Sequence, residues 1–244
     1  MKKTLLACAL IAVAATGAAY AKTIHVGTNA EFAPFEFMDP DTKQITGFDM
    51  DLIKAVIAAT GNKAEIINMG FDGLIPAIRT NTIDVAAAGM TITPARMKQV
   101  NFSDPYYQSG LTILIKKTDL GKVKGLKDLE GKTICAQIGT TGSMTAKTVK
   151  GAKVKDFNGA PEAFMELING GCSAVINDKP VTEEFLKKKP SDAVTMLPEV
   201  LDAEYYGFAV NKNNKKLVKD INAALKKLKA NGEYAKIYAK WFGK

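Results

Sequence analysis

Cysteine and histidine are scarce in this 244-residue chain: it holds three cysteines, none in a CxxC pair, and a single histidine, His25. A zinc or related metal centre therefore has no ligand set. The loops of nucleotide chemistry are missing too. Gly131-Lys132-Thr133 would need a glycine five positions earlier, where Leu126 stands, and Gly139-Thr140-Thr141-Gly142 lacks the spacing of a dinucleotide fingerprint. There is no serine elbow for acyl transfer, and His25 falls on a strand near the start of the mature chain, a structural placement. No cofactor, no metal and no enzymatic activity are expected. Only one long apolar run opens the chain, Leu5 to Ala15, and Thr16-Gly17 closes it before the roughly 18 to 25 residues that a membrane-spanning helix needs.

That run has another use. Met1-Lys2-Lys3 precedes it and the small residues Ala18-Ala19-Tyr20-Ala21 follow, so residues 1–21 read as a secretory signal peptide cut after Ala21, and the mature chain is expected in the periplasm. Leu5-Leu6-Ala7-Cys8 resembles a lipidation box, but a cut there leaves too short an apolar region ahead of it. Cleavage removes Lys2 and Lys3 from 33 basic residues, which leaves 31 against 25 acidic ones, a net +6 over 223 residues. The lysines are scattered, and the densest clusters, Lys187-Lys188-Lys189 and Lys226-Lys227, fall on helix faces or ends; they read as solvated surface, and no nucleic-acid partner is expected. Cys135 and Cys172 survive cleavage. The compartment permits a disulfide, yet both cysteines sit on or beside neighbouring core strands, so the expectation is two unpaired thiols, with pairing left open.

Along the mature chain, short β-branched runs alternate with helical periodicity. A strand at 24–28 is followed by a helix at 49–59 whose buried face is Leu52, Ile53, Val56 and Ile57, with Gly61 ending it. A strand at 64–69, a helix near 72–80 and a strand at 84–89 come next. A second series comprises strands at 111–117 and 132–138, helices at 142–149 and 160–169, and a strand at 173–177. After a strand at 207–210, one helix carries Leu217, Val218, Ile221, Leu225 and Leu228, and another ends at Trp241-Phe242. Two α/β units with largely parallel sheets follow from this order.

The chemistry concentrates where a buried strand turns into a helix, at Gly89-Met90-Thr91-Ile92-Thr93-Pro94-Ala95-Arg96. Thr93 is an N-cap and Pro94 a first helical residue. Free N–H groups at a helix start and the planar fork of Arg96 suit a carboxylate.

In its motifs the chain resembles the polar amino-acid-binding proteins of ABC transporters, the glutamine-binding and lysine/arginine/ornithine-binding type. The likeness rests on the 27–37 segment GTNAEFAPFEF, Gly47-Phe48-Asp49-Met50-Asp51-Leu52, Phe71-Asp72-Gly73-Leu74-Ile75-Pro76-Ala77, the 89–96 stretch, 101–107 (NFSDPYY), 139–142, Asn177-Asp178, Glu204-Tyr205-Tyr206-Gly207 and Lys240-Trp241-Phe242-Gly243. Each is weak alone; their order and spacing together are specific. The resemblance implies a two-lobed α/β fold, with 22–105 and 207–244 in lobe 1, 111–201 in lobe 2, and hinges at 106–110 and 202–206. It also implies a monomer that closes on a free L-amino acid and is read by a membrane permease.

Carried over residue by residue, the resemblance places Arg96 on the ligand carboxylate with Thr91 and the turn at Thr141, and Asp178 on the α-ammonium with the Gly89 carbonyl and the Thr91 hydroxyl. Phe32 and Phe71 flank the ligand side chain. Asn29, where several relatives carry an aspartate, and Gln137 are neutral groups near it, which favours a polar or amide side chain; Glu31 or Glu204, if inward, would balance a basic one. The motif wording leans to arginine or lysine, with glutamine second. The alternative is an enzyme of the same fold, a cyclohexadienyl dehydratase, with Glu31, Glu204 or Asp178 as proton donor.

Overall fold

The computed structural model describes residues 21–190 and 192–243, so the signal peptide expected at 1–21 lies, but for its last residue, outside the described residues. The chain opens with β1 (Thr23–Thr28), β2 (Glu31–Phe32), β3 (Glu36–Met38), β4 (Ile45–Thr46), α1 (Phe48–Ala59) and β5 (Lys63–Asn68). A 3-10 turn at Phe71–Gly73 leads into α2 (Leu74–Arg79), followed by β6 (Val85–Ala86), α3 (Pro94–Met97) and β7 (Val100–Phe102). Then come β8 (Tyr107–Lys116), β9 (Thr133–Gln137), α4 (Thr141–Thr148), β10 (Lys153–Phe157), α5 (Ala160–Ile168), β11 (Ala174–Asp178), α6 (Lys179–Lys188) and β12 (Val194–Met196). The chain closes with β13 (Ala203–Tyr206), β14 (Ala209–Asn211), α7 (Lys215–Ala230) and α8 (Glu233–Phe242).

Two sheets form. The first runs β5-β1-β6-β14-β7, and the second runs β10-β9-β11-β8-β12 with β13 also paired to β8. Each is parallel except for one reversed strand, β14 in the first and β8 in the second. These strands lie next to the two passages of the chain between the sheets. Where they cross, β8 and β13 run antiparallel, with Tyr107 opposite Tyr206 and Gly110 opposite Ala203. Helix α1 buries Leu52, Ile53, Val56 and Ile57, the face expected from periodicity, and α7 buries Leu217, Ile221, Leu225 and Leu228. Burying such aliphatic side chains stabilises by about 1.5–3 kcal/mol each before entropy is counted.

One expectation is corrected: Cys135 and Cys172 form a disulfide. Lying on or beside neighbouring core strands did not keep them apart, because β9 and β11 are hydrogen-bonded neighbours and Cys172 lies two residues before β11, which leaves their Cα atoms 6.0 Å apart. The bridge spans 37 residues, for which loop-closure entropy predicts about 4 kcal/mol of stabilisation.

Candidate functional site

A narrow cavity lies between the two large sheets, and its lining contains all nine residues singled out from sequence: Asn29, Phe32, Phe71, Gly89, Thr91, Arg96, Gln137, Thr141 and Asp178. Glu36, Ala88 and Thr140 complete the lining. A wider groove behind the crossing strands is lined by tyrosines, but its one lysine and one glutamate, Lys179 and Glu183, already face each other at 3.7 Å and leave no charge for a zwitterion.

The strand-to-helix turn builds the first set of groups. Gly89 has φ +52°, and a Cβ there would press on the Phe32 ring; its N–H donates to Asp49 Oδ2 at 2.8 Å. Thr93 caps α3 by accepting from the Arg96 N–H at 3.2 Å, with Pro94 in the first turn, as the sequence predicts. This anchors Arg96, which is 3% exposed. Its guanidinium donates to the Thr91 carbonyl at 2.8 Å and, across the cavity, to the Gly139 carbonyl at 3.0 Å, and it lies 5.3 Å from the Phe71 ring centroid. Burial lowers the Arg96 pKa, and Glu204 and Asp178 oppose that shift.

Neither glutamate weighed from sequence lines the cavity: Glu204 is buried behind Thr91, whose hydroxyl donates to it at 2.9 Å, and Glu31 is exposed. Thr140, not foreseen as lining, caps α4 by accepting from the Ser143 N–H at 3.2 Å and so aims that helix start at the cavity.

Asp178 ends β11 at the N-cap position of α6 but makes no side-chain cap bond to its own helix. Its carboxylate instead accepts from Ser109 at 3.1 Å and from the Tyr206 hydroxyl. Burial, with Glu204 nearby, pushes its pKa up to about 7. Tyr206 and Ser109 both come from the paired strands β13 and β8, so the same segments that pass between the two large sheets also hold this acid.

The second set contains Glu36, Asn29 and Gln137. The Gln137 amide donates to Asn29 Oδ1 at 2.8 Å and to the Asn158 carbonyl at 3.1 Å, while Asn29 Nδ2 donates to the Met69 carbonyl at 3.1 Å. Those carbonyls fix which end of each amide is nitrogen. Gln137 Oε1 and both carboxylate oxygens of Glu36 are left buried, with no donor among the described residues. Burial, then Asp49 and Asp178, raise the Glu36 pKa well above the carboxylate range. Sequence reasoning missed Glu36 because Phe35 and Phe37 flank it in a short apolar stretch, and nothing in that pattern marks which way a lone acid points.

The description "bacterial extracellular solute-binding proteins, family 3" matches residues 24–244. The chain belongs to this family. Similar proteins include a probable histidine-binding protein of Neisseria gonorrhoeae, 36% identical over 98% of this chain and 94% of its own, and ABC transporter arginine-binding protein 1 of Escherichia coli (strain K12), 36% identical over 99% of both. Among solved structures, an ancestral arginine-binding protein bound to arginine is 45% identical with a TM-score of 0.87, covering 91% of this chain and 98% of its own. The two-lobed α/β fold is thereby established, and these relatives are named as binding proteins rather than enzymes.

Proposed function

We propose that this family 3 protein is the exported substrate-binding component of an ABC importer, and that it closes on a free basic L-amino acid, arginine foremost. The observation that carries the side-chain assignment is the trio of unpartnered acceptors, both Glu36 oxygens and Gln137 Oε1. A guanidinium offers five N–H donors and no acceptor, so every contact with this trio is complementary once its charge displaces the proton that the raised pKa of Glu36 holds, whereas a neutral glutamine amide supplies no charge to do so and also brings a carbonyl.

In this reading Arg96 takes the α-carboxylate in a bidentate pair, supported by Thr91 and the α4 start at Thr140 and Thr141, and Asp178 takes the α-ammonium together with the Gly89 carbonyl and the Thr91 hydroxyl. Phe32 and Phe71 hold the aliphatic stem. Lobe 1 is 22–105 with 207–244, lobe 2 is 111–201, and the hinges are 106–110 and 202–206. The antiparallel pairing of Tyr107–Gly110 with Ala203–Tyr206 supports that assignment, since two short crossing strands can twist together without breaking either sheet. Every cavity group comes from one chain, so a monomer suffices, and the closed form is what a membrane permease would read.

Titration calorimetry of the ligand-stripped mature chain against the common L-amino acids tests this. The expected result is tight arginine binding, weaker lysine and histidine, and weaker glutamine. Binding of none of them would overturn the proposal.

A further inference from the structure

Although lysines are spread along the whole chain, the excess of positive charge in the mature chain comes from one segment, which revises the reading of its lysines as evenly solvated surface. Residues 22–244 carry 31 basic and 25 acidic side chains, and residues 212–230 alone account for seven lysines and one aspartate. Everything else is balanced, with 24 of each sign. The segment is α7 with its lead-in, and all seven lysines are exposed.

Two of them are engaged: Lys216 pairs with Asp220, and Lys229 donates to the Pro105 carbonyl. The other five, Lys212, Lys215, Lys219, Lys226 and Lys227, have side chains with no acceptor or carboxylate partner among the described residues. The contrast with α6 is direct, because there Lys179 faces Glu183 and Lys188 faces Glu184. A solvated helix needs no such imbalance, and interspersed signs are the usual pattern of a soluble surface.

We propose that the lysine face of α7 is a docking surface for an anionic phospholipid membrane. Two features favour a membrane over a discrete acidic partner, and a third leaves the face available. The face is a helix of 16 residues, about 24 Å long, that offers its charges along a line rather than around a pocket. All of its cations are lysines, point charges on flexible stems, with no arginine fork of the kind that reads a carboxylate or phosphate in two parallel bonds. None of its lysines lines the amino-acid cavity, so the face remains free while ligand is held. The exposed residues between the lysines include Ala223 and Ala230 and no aromatic, so association is electrostatic and peripheral, without insertion. An importer gains from this: a protein held loosely at the membrane searches for its permease in two dimensions.

The test is co-sedimentation of the mature protein with phosphatidylglycerol vesicles, with phosphatidylcholine vesicles and with polyglutamate-coated beads at matched charge, in low salt and in high salt. The expected result is binding to the phosphatidylglycerol vesicles only, abolished by high salt, and weakened roughly tenfold or more in a K215Q/K219Q/K226Q/K227Q variant. Amino-acid titration of that variant should match the parent, which shows that it folds and separates this inference from the proposed function. Absence of vesicle binding, equal binding to phosphatidylcholine, or full binding by the variant would overturn the proposal; polyglutamate bound as tightly as the vesicles would assign the face to an acidic protein instead.

Discussion

The polar groups around the cavity fall into two sets that differ in how they are satisfied. Around Arg96, each group already has a protein partner: the guanidinium donates to two carbonyls, Thr91 donates to Glu204, and Asp178 accepts from Ser109 and Tyr206. Around Glu36 and Gln137, three acceptor atoms have none. The first set is therefore preorganised, and a zwitterion must compete with bonds that exist; the second gains its first donors from the ligand. Affinity common to all amino acids should come from the first set, and discrimination among them from the second.

The largest break comes from Arg96→Ala. Removing one member of a buried charge pair costs about 2–5 kcal/mol, part of it the penalty for leaving the ligand carboxylate unpaired, so calorimetry should show affinity lost by about two to three orders of magnitude for arginine and glutamine alike. A loss restricted to arginine would place Arg96 in the wrong set.

Glu36→Gln comes next and should act selectively. It leaves a neutral group that presents a donor as well as an acceptor, so arginine affinity should fall by about one to two orders of magnitude while glutamine affinity holds or rises. Equal losses for both would dissolve the distinction between the sets.

A smaller and continuous effect is set by pH. Asp178 must be ionised to face an ammonium, but burial holds its pKa up to about 7 in the protein without ligand. An acid with a raised pKa is mostly protonated below that value, and binding must then strip the proton. For glutamine, which does not need Glu36 ionised, affinity should therefore rise with pH by at most about tenfold per unit between 5 and 7, then level off, while arginine affinity should keep rising as Glu36 also ionises. The Asp178→Asn variant should bind weakly with a flatter profile, and an equally steep profile in that variant would assign the titration to another group.

Much of this was legible in the sequence, for reasons that differ by residue. The α1 and α7 faces follow from helical spacing, and the Thr93-Pro94 helix start follows from capping chemistry, both of which act over a few residues. The nine lining residues came through motif order, which carries long-range information that periodicity does not. Glu36 was not legible, since its inward direction is set by the pairing of β3 with β2 and β4. Nor were the partners of Asp178, because Ser109 and Tyr206 lie 69 and 28 residues away and meet it only through the crossing strands. The disulfide was misjudged for another reason: the strands were expected to be neighbours, but whether the two thiols meet depends on the register of β9 with β11 and the 6.0 Å Cα separation it leaves, which no local pattern reports.

Phe71 supplies the finest test of the division, because it was assigned to the ligand side chain yet its ring lies 5.3 Å from the Arg96 guanidinium. If its main effect is through Arg96, Phe71→Leu keeps the apolar volume but removes the ring's attraction for the cation, worth about 0.5–2 kcal/mol depending on how dry the contact is. Affinity should then fall about two- to thirtyfold, by the same factor for arginine, lysine and glutamine, because each presents the same carboxylate to the same guanidinium. A stem-packing role predicts a different pattern, in which arginine and lysine lose more than glutamine because their longer aliphatic stems have more surface to lay on the ring. Titrating the variant with the three ligands separates the two: an unchanged ranking assigns Phe71 to the preorganised set, and a changed ranking moves it to the set that discriminates.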